Sequence, residues 1–360
     1  MYRQSKEVKI GSVAIGGTAP VCVQSMTNTD TMDFEATTAQ LLALERAGCA
    51  IARIAVPKIE ATEVFSYAKS NGVEIPLVAD IHFDYRIALA AVKAGADKIR
   101  INPGNIGAAD NVKAVAEACG NAGLPIRIGV NGGSLERSLI EKYGSPTPEA
   151  LCESALTQAS MLEEFGFTDT VISIKSSRVS DMIAANRLVR ERSDYPIHIG
   201  VTEAGDEYSG LVKNACGIGA LLCDGIGDTL RVSLTADPVK EVVAGHEILR
   251  AMGLETGFIN IVSCPTCGRT KIDLISLSAA LREATAEIDT HGKNITVALM
   301  GCVVNGPGEA READVGIAGG DGCGVLIRHG EVCGRVSEAA IIPTLVAEIE
   351  KIIGEVDVRD

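Results

Sequence analysis

Residues 264–269 read CPTCGR, and residues 301–309 read GCVVNGPGE. Cys264 and Cys267 form a C-x-x-C pair, which on a turn brings two thiolates to one metal. Cys302 stands between an apolar run and a turn rich in Gly and Pro. Three chemistries use thiolates in this pattern. A structural zinc would take a fourth ligand such as Cys323, Cys333 or His329. A thioredoxin-like redox pair would need only Cys264 and Cys267, and an iron–sulfur cluster accepts three thiolates plus a different fourth ligand. Spacing leaves all three open and favours the cluster. The remaining cysteines, Cys22, Cys49, Cys119, Cys152, Cys216 and Cys223, read as small buried side chains.

A second set of residues is cationic. Arg53, Arg100, Arg127 and Lys175 fall within or at the ends of short apolar runs, with His82, Asn102, Asn131, His198, Arg231 and Ser233 at comparable places. Basic side chains turned into a barrel are unfavourable unless paired, so four of them converging call for a polyanion. Guanidinium groups match phosphate oxygens two at a time and an ammonium adds a point charge, which makes a diphosphate the economical ligand. The competing expectation pairs each base with an interior carboxylate such as Asp80, Glu203 or Asp228. Asp80 and Glu203 could also donate a proton beside a phosphate site.

The elements that must carry these residues are legible as eight runs: VCVQSMT at 21, IARIAV at 51, LVADIHF at 77, KIRINPGN at 98, IRIGVNGG at 126, VISIKSS at 171, IHIGVTEAG at 197 and GIGDTLRVSL at 225. Between them lie helical patterns such as 34–49, 84–96 and 237–253. Strand, helix and two short loops repeated eight times predict a TIM (β/α)8 barrel, an α/β fold whose strand C-termini build the site. The stretch LERSLIEKYGSPTPEA after the fifth run is a candidate lid. After residue 254 the rhythm becomes α+β, with helices over 273–289 and 338–353 and a meander between. The chain therefore divides into a barrel over 1–255 and a smaller α+β domain over 256–360, which carries CPTCGR and GCVVNGPGE.

Composition limits the alternatives. The 360 residues carry a formal charge of -14, which opposes nucleic-acid binding, since phosphate backbones need an extended basic face. No apolar run reaches the roughly 20 residues of a membrane-spanning helix. The opening MYRQSKEVKIGSVAIGG lacks the apolar stretch of a signal peptide, and eleven Cys suit a reducing compartment, so a cytoplasmic location is expected.

CPTCGR, GCVVNGPGEA and the eight-unit barrel with basic strand ends together resemble the 4-hydroxy-3-methylbut-2-en-1-yl diphosphate synthase family in its bacterial two-domain form; VCVQSMTNTDT and LVADIHF resemble it too. The resemblance implies a 4Fe-4S cluster held by Cys264, Cys267, Cys302 and Glu309. The carboxylate would be a weaker ligand for iron than thiolate, and so exchangeable for substrate oxygen. It implies 2-C-methyl-D-erythritol 2,4-cyclodiphosphate as substrate, bound by Arg53, Arg100, Arg127, Asn131 and Lys175. Glu309 and Glu203 are its catalytic candidates, Glu203 as a possible proton donor. No G-x-G-x-x-G turn or other flavin or nicotinamide site is present, so electrons are expected singly from reduced flavodoxin or ferredoxin. Finally, a helix over 237–253 must run back along the barrel, about 25 Å at 1.5 Å per residue, away from the catalytic face. A homodimer in which each cluster domain covers the other chain's barrel is therefore expected.

Overall fold

The computed structural model describes residues 4–304, 308 and 310–355. The chain divides into two compact units, Met1–Leu254 and Glu255–Asp360. In the first, a short hairpin of β1 (Val8–Ile10) and β2 (Val13–Ile15) precedes the repeating part. There follow β3 (Cys22–Met26), α1 (Phe34–Arg46), β4 (Ile51–Ala55), α2 (Glu63–Ser70), β5 (Leu77–Asp80), α3 (Tyr85–Lys93), β6 (Lys98–Ile101), α4 (Pro103–Ile106) and α5 (Ala109–Ala122). The unit continues with β7 (Ile126–Asn131), α6 (Arg137–Tyr143), α7 (Pro148–Glu164), β8 (Thr170–Lys175), α8 (Val179–Arg192), β9 (His198–Ile199), α9 (Glu207–Cys223), β10 (Thr229–Leu230) and α10 (Pro238–Ala251). The eight strands β3–β10 pair in parallel in the order β8-β7-β6-β5-β4-β3-β10-β9, and a bridge from Ile172 to Ile197 joins the two ends. The barrel is closed.

Alternation along each strand decides what faces where. Ile54, Leu77, Ile99, Ile128, Ile172 and Ile199 turn outward and are buried against the helices in the main core. The inward row is apolar only at the bottom, where Ile51, Val78 and Val171 pack on Val8, Ile10 and Ile15 of the hairpin. The hairpin thus plugs the end of the barrel at which the strands begin. Burying side chains such as Ile10 and Ile15 contributes roughly 1.5–3 kcal/mol each. Aspartates start several helices: Asp33, Asp84, Asp206 and Asp237 each accept a hydrogen bond from a backbone N–H of the first turn.

The helices are shorter than the sequence pattern suggests. Helix α1 stops at Arg46 rather than 49, because Ala47 caps it and Gly48 adopts φ +91°. The expected helix over 338–353 begins as a 3-10 turn, Glu338–Ala340, and becomes α-helical at Ile341. The candidate lid is a pinned element. Glu136 accepts from Ser154 and Gln158, while Lys142 and Tyr143 donate to Glu153, which fastens α6 to α7.

The second unit holds a five-stranded sheet in the order β11-β12-β13-β14-β15, made of Ile259–Ser263, Ile295–Met300, Val315–Gly320, Cys323–Arg328 and Glu331–Ser337. The first three strands are parallel and the last two antiparallel. Helix α11 (Leu274–Thr285) and the C-terminal helix Ile341–Gly354 bury Leu281, Leu345 and Ile349 in the same core as Val297 and Ile317 of the sheet. The helix expected over 273–289 therefore ends at Thr285.

Candidate active site

Above the apolar floor, the inward row turns polar. Asp80, Arg100 and Arg127 are direct register neighbours on β5, β6 and β7, and Asn131 at the end of β7 is level with Lys175 at the end of β8. With Arg53 and Arg231 they line one cavity of about 250 Å³, together with Met26, His82, Ser173, Thr202 and Ser233. All five residues expected to bind substrate, Arg53, Arg100, Arg127, Asn131 and Lys175, meet in this cavity. Two larger hollows, of about 550 and 400 Å³, lie beside Phe34 and Tyr67 and beside Met161 and Arg192; neither gathers more than one cation.

Glycine makes the crowding possible at two points. A Cβ on Gly129 would lie 2.3 Å from Arg100 Nε, and one on Gly200 would lie 3.2 Å from Lys175 Nζ. Arg100 Nη2 also donates to the Gly129 carbonyl at 3.2 Å.

Charge is only partly balanced. Arg100 Nη1 donates to Asp80 Oδ1 at 3.1 Å, with Arg53 Nε and His82 Nε2 each 3.7 Å from Asp80 Oδ2. Burial works to raise the Asp80 pKa, but Arg53, Arg100, Arg127 and His82 together outweigh it and hold the carboxyl at about 2. Arg231 donates to both oxygens of Glu241 on α10, at 3.1 and 3.2 Å. Among the described residues Arg127 finds only the Gln24 side-chain oxygen, at 3.0 Å, and Lys175 has no carboxylate within ion-pair distance. Five cations are thus answered by two carboxylates. Burial, then neighbouring guanidiniums, push Arg127 and Lys175 well below their ordinary pKa values and bring Arg53 to about 10.

The competing expectation, that each base pairs with an interior carboxylate, holds for Arg53, Arg100 and Arg231 but, among the described residues, not for Arg127 or Lys175, and several placements differ from those expected. His198 begins β9, is fully buried, and shares a 2.8 Å hydrogen bond between Nδ1 and Thr229 Oγ1 away from the cavity lining. Asn102 caps α4 through Gly104 N–H. Asp228 precedes β10 at the plugged end, where Arg190 and the Ile197 N–H donate to it. Glu203 is exposed in a left-handed conformation, φ +52°, next to Thr202 of the lining. Glu241, Gln24 and Lys98 were not singled out from sequence. Lys98 and Gln24 could have been, since two-residue alternation puts them on the inward faces that also carry Arg100 and Met26.

In the second unit, parallel neighbours β11 and β12 end together, with Ser263 level with Leu299. Cys264 therefore follows one strand and Cys302 the next. The Gly301 N–H donates to Cys264 Sγ at 3.3 Å, and Lys271 N–H to the Gly301 carbonyl at 2.9 Å, tying the two turns together. Cys267 is exposed on the first turn, its N–H bonded to Thr270 Oγ1. Thiols at one sheet end, one of them already accepting a backbone N–H, suit a thiolate-ligated metal group. Among the described residues no three His, Cys, Asp or Glu side chains are gathered closely enough to hold a metal ion, and Glu309 lies outside the described residues. Of the cysteines expected to be buried, Cys216 and Cys223 are exposed on α9, whereas burial raises Cys49 and Cys119 to about 12.

Comparison with known proteins matches this division. The GcpE TIM-barrel domain matches residues 5–246, and the GcpE protein C-terminal domain matches residues 260–351. Relatives named 4-hydroxy-3-methylbut-2-en-1-yl diphosphate synthase (flavodoxin) from Caldanaerobacter subterraneus subsp. tengcongensis and Geobacter sulfurreducens are each 54% identical over 355 residues, covering 99% of both chains. Among solved structures, dihydropteroate synthase from Stenotrophomonas maltophilia aligns with a TM-score of 0.51 and 15% identity, over 69% of this chain and 98% of that one, a likeness of barrel fold alone. With both domain families matched in order and full-length relatives at this identity, the chain belongs to the GcpE family.

Proposed function

We infer that the chain converts 2-C-methyl-D-erythritol 2,4-cyclodiphosphate to (E)-4-hydroxy-3-methylbut-2-enyl diphosphate, the reductive ring opening and dehydroxylation that serves isoprenoid biosynthesis. Two electrons and two protons enter and one water leaves. The carrying observation is the cavity's uncompensated positive charge in a chain of net charge -14, which suits a compact diphosphate. Arg53, Arg100, Arg127 and Lys175 hold the phosphates, Asn131 orients them at the rim, and Asp80 fixes two of the guanidiniums. Glu203, next to Thr202 of the lining, is the proton donor this reading assigns. A 4Fe-4S cluster on Cys264, Cys267, Cys302 and Glu309 supplies electrons one at a time when bound. Reduced flavodoxin, the carrier in the relatives' names, is the donor this reading favours, and ferredoxin is the alternative.

The rival, a non-redox pterin-binding barrel with a zinc-stapled second domain, rests on barrel likeness at 15% identity and is disfavoured by relatives that match both domains at 54%. Among the described residues no helix is long and apolar enough to cross a membrane.

A homodimer with shared sites completes the proposal. Helix α10 starts near β3's C-terminal end, where Ser25 Oγ lies 3.5 Å from the Pro238 carbonyl. It then runs back so that His246 Nε2 reaches Gly48 O, which precedes β4. The barrel's chain leaves from the end opposite the cavity, so a second copy's cluster domain is the natural cover. Anaerobic purification with iron, sulfide and zinc analysis, followed by turnover of the cyclodiphosphate with reduced flavodoxin, tests the chemistry. Four irons with sulfide and turnover are expected; zinc without sulfide would sink it.

A further inference from the structure

Directly below the cavity the inward row of β6 carries Lys98. Arg100, two residues on, lines the cavity about 6–7 Å further along the strand. Lys98 is fully buried, and among the described residues its Nζ has no hydrogen-bond partner. Every group that faces it is a poor partner for an ammonium. Arg127 on β7 and Arg53 on β4 repel it, His198 on β9 lies within its field, and the acid that opposes them is the Cys22 thiol on β3, which burial raises to about 11 and on which Asp228 also acts. Asp80 on β5 is engaged by Arg100 and Arg53, and Glu241 by Arg231, Ser25 and Leu234 N–H. Lys175 on β8 lies in the same interior and is itself pushed below the ordinary lysine range by burial and the guanidiniums. Arg127 Nε and Gln24 Nε2 are likewise buried donors with no acceptor among the described residues.

Arginine keeps its proton in proteins, so the guanidiniums are fixed charges and cannot relieve the repulsion. Lysine can. Burial first, then Arg127 and Arg53, drive Lys98 well below the ordinary lysine range, with Cys22 opposing weakly. An ammonium buried without a protein acceptor is unfavourable, whereas a neutral amine there is tolerable. An anion arriving above Arg100 and Arg127 inverts the field that discharges it.

We propose that Lys98 is a proton-accepting positioning residue of the anion site, neutral while the cavity is empty and taking up one proton from solvent when a diphosphate settles above it. The inference rests on the reading of the cavity as a diphosphate site and deepens it. Lys98 then adds a charge from below, where no ligand atom need touch it. The sign of the pH dependence follows. Below the free-state pKa of Lys98 the amine is already charged and affinity is at its full value. As pH rises from there to the bound-state pKa, affinity falls, by at most about tenfold per pH unit. Above both values it levels off.

The test is isothermal calorimetry of 2-C-methyl-D-erythritol 2,4-cyclodiphosphate binding to the full-length chain, in pairs of buffers with different ionisation enthalpies between about pH 6 and 9. Each phosphorus of that ligand carries one ester and one anhydride bond and a single, strongly acidic hydroxyl, ionised throughout the range, so the ligand contributes no protons itself. Uptake approaching one proton per site in the wild type is expected, and uptake near zero with pH-independent, weaker binding in Lys98→Met. Proton uptake that survives in Lys98→Met, or disappears in Lys175→Met instead, overturns the proposal. So does wild-type binding with no buffer dependence, a result that needs no variant to fold. A wild type that fails to bind the cyclodiphosphate at any pH refutes the diphosphate reading itself, and the Lys98 proposal with it.

Discussion

At the residue scale, the barrel interior is organised against its own stability. Arg127 and Lys175 are buried among like charges, an arrangement that favours ligand binding over folding. Replacing either with Met, which fills much of the same volume, should leave the melting temperature unchanged or raise it. Affinity for the cyclodiphosphate should fall about 10- to 100-fold, as loss of a charge-assisted contact worth roughly 1.5–3 kcal/mol implies. Calorimetry on both variants beside thermal melts checks this; lower melting temperatures with unchanged affinity would make the two residues structural. These two and Arg100 were legible in the sequence because each ends or interrupts an apolar run. Glu241 was not, because its partner Arg231 is ten residues away and only the packing of α10 on β3 brings them together. Cys216 was misread because cysteine is so often buried, while α9 turns a face with Tyr208, Leu211 and Val212 outward.

At the element scale, alternation and helix spacing made the eight units readable, and their register could not be read. Register is what converts a row of bases into a site: Asp80, Arg100 and Arg127 stand side by side only because β5, β6 and β7 pair as they do. The N-terminal hairpin escaped because its strands, VKI and VAI, are three residues each and gain meaning only from the barrel floor they plug. Gly129 tests how tightly the register holds the site. An alanine there must displace the buried Arg100 guanidinium or shift β7, at about 1–3 kcal/mol. Gly129→Ala is therefore expected to weaken cyclodiphosphate binding about as much as Arg100→Met does, and the double variant to lose little beyond either single one. Additive losses, read from binding and melting of all three proteins, would mean that Gly129 serves the strand and not Arg100.

At the scale of the whole molecule, the barrel has one polar mouth and one plugged end, and α10 carries the chain away from the mouth before the second unit begins at Glu255. The cysteines meanwhile gather at one end of β11 and β12, where turns expose Cys267 and the neighbouring Val303 and Val304. The proposed homodimer, in which a two-fold axis gives two equivalent sites each drawing on both chains, is tested at this scale. Mixing decides it. Lys175→Met damages the barrel half and Cys264→Ala the cysteine half, so each homodimer should turn over little when assayed at a cyclodiphosphate concentration well below the weakened Kd of the Lys175→Met barrel. The two are co-expressed with different affinity tags and the doubly tagged heterodimer is isolated. If sites are shared, one of its two sites joins an intact barrel to an intact cluster domain, and activity near half the wild-type value per dimer is expected. If each chain instead closes on itself, every site in the heterodimer contains one damaged half, and the preparation should be as inactive as its parents. Re-sorting of subunits could regenerate the parental homodimers but never an undamaged chain, so any activity recovered must come from a site built by two chains.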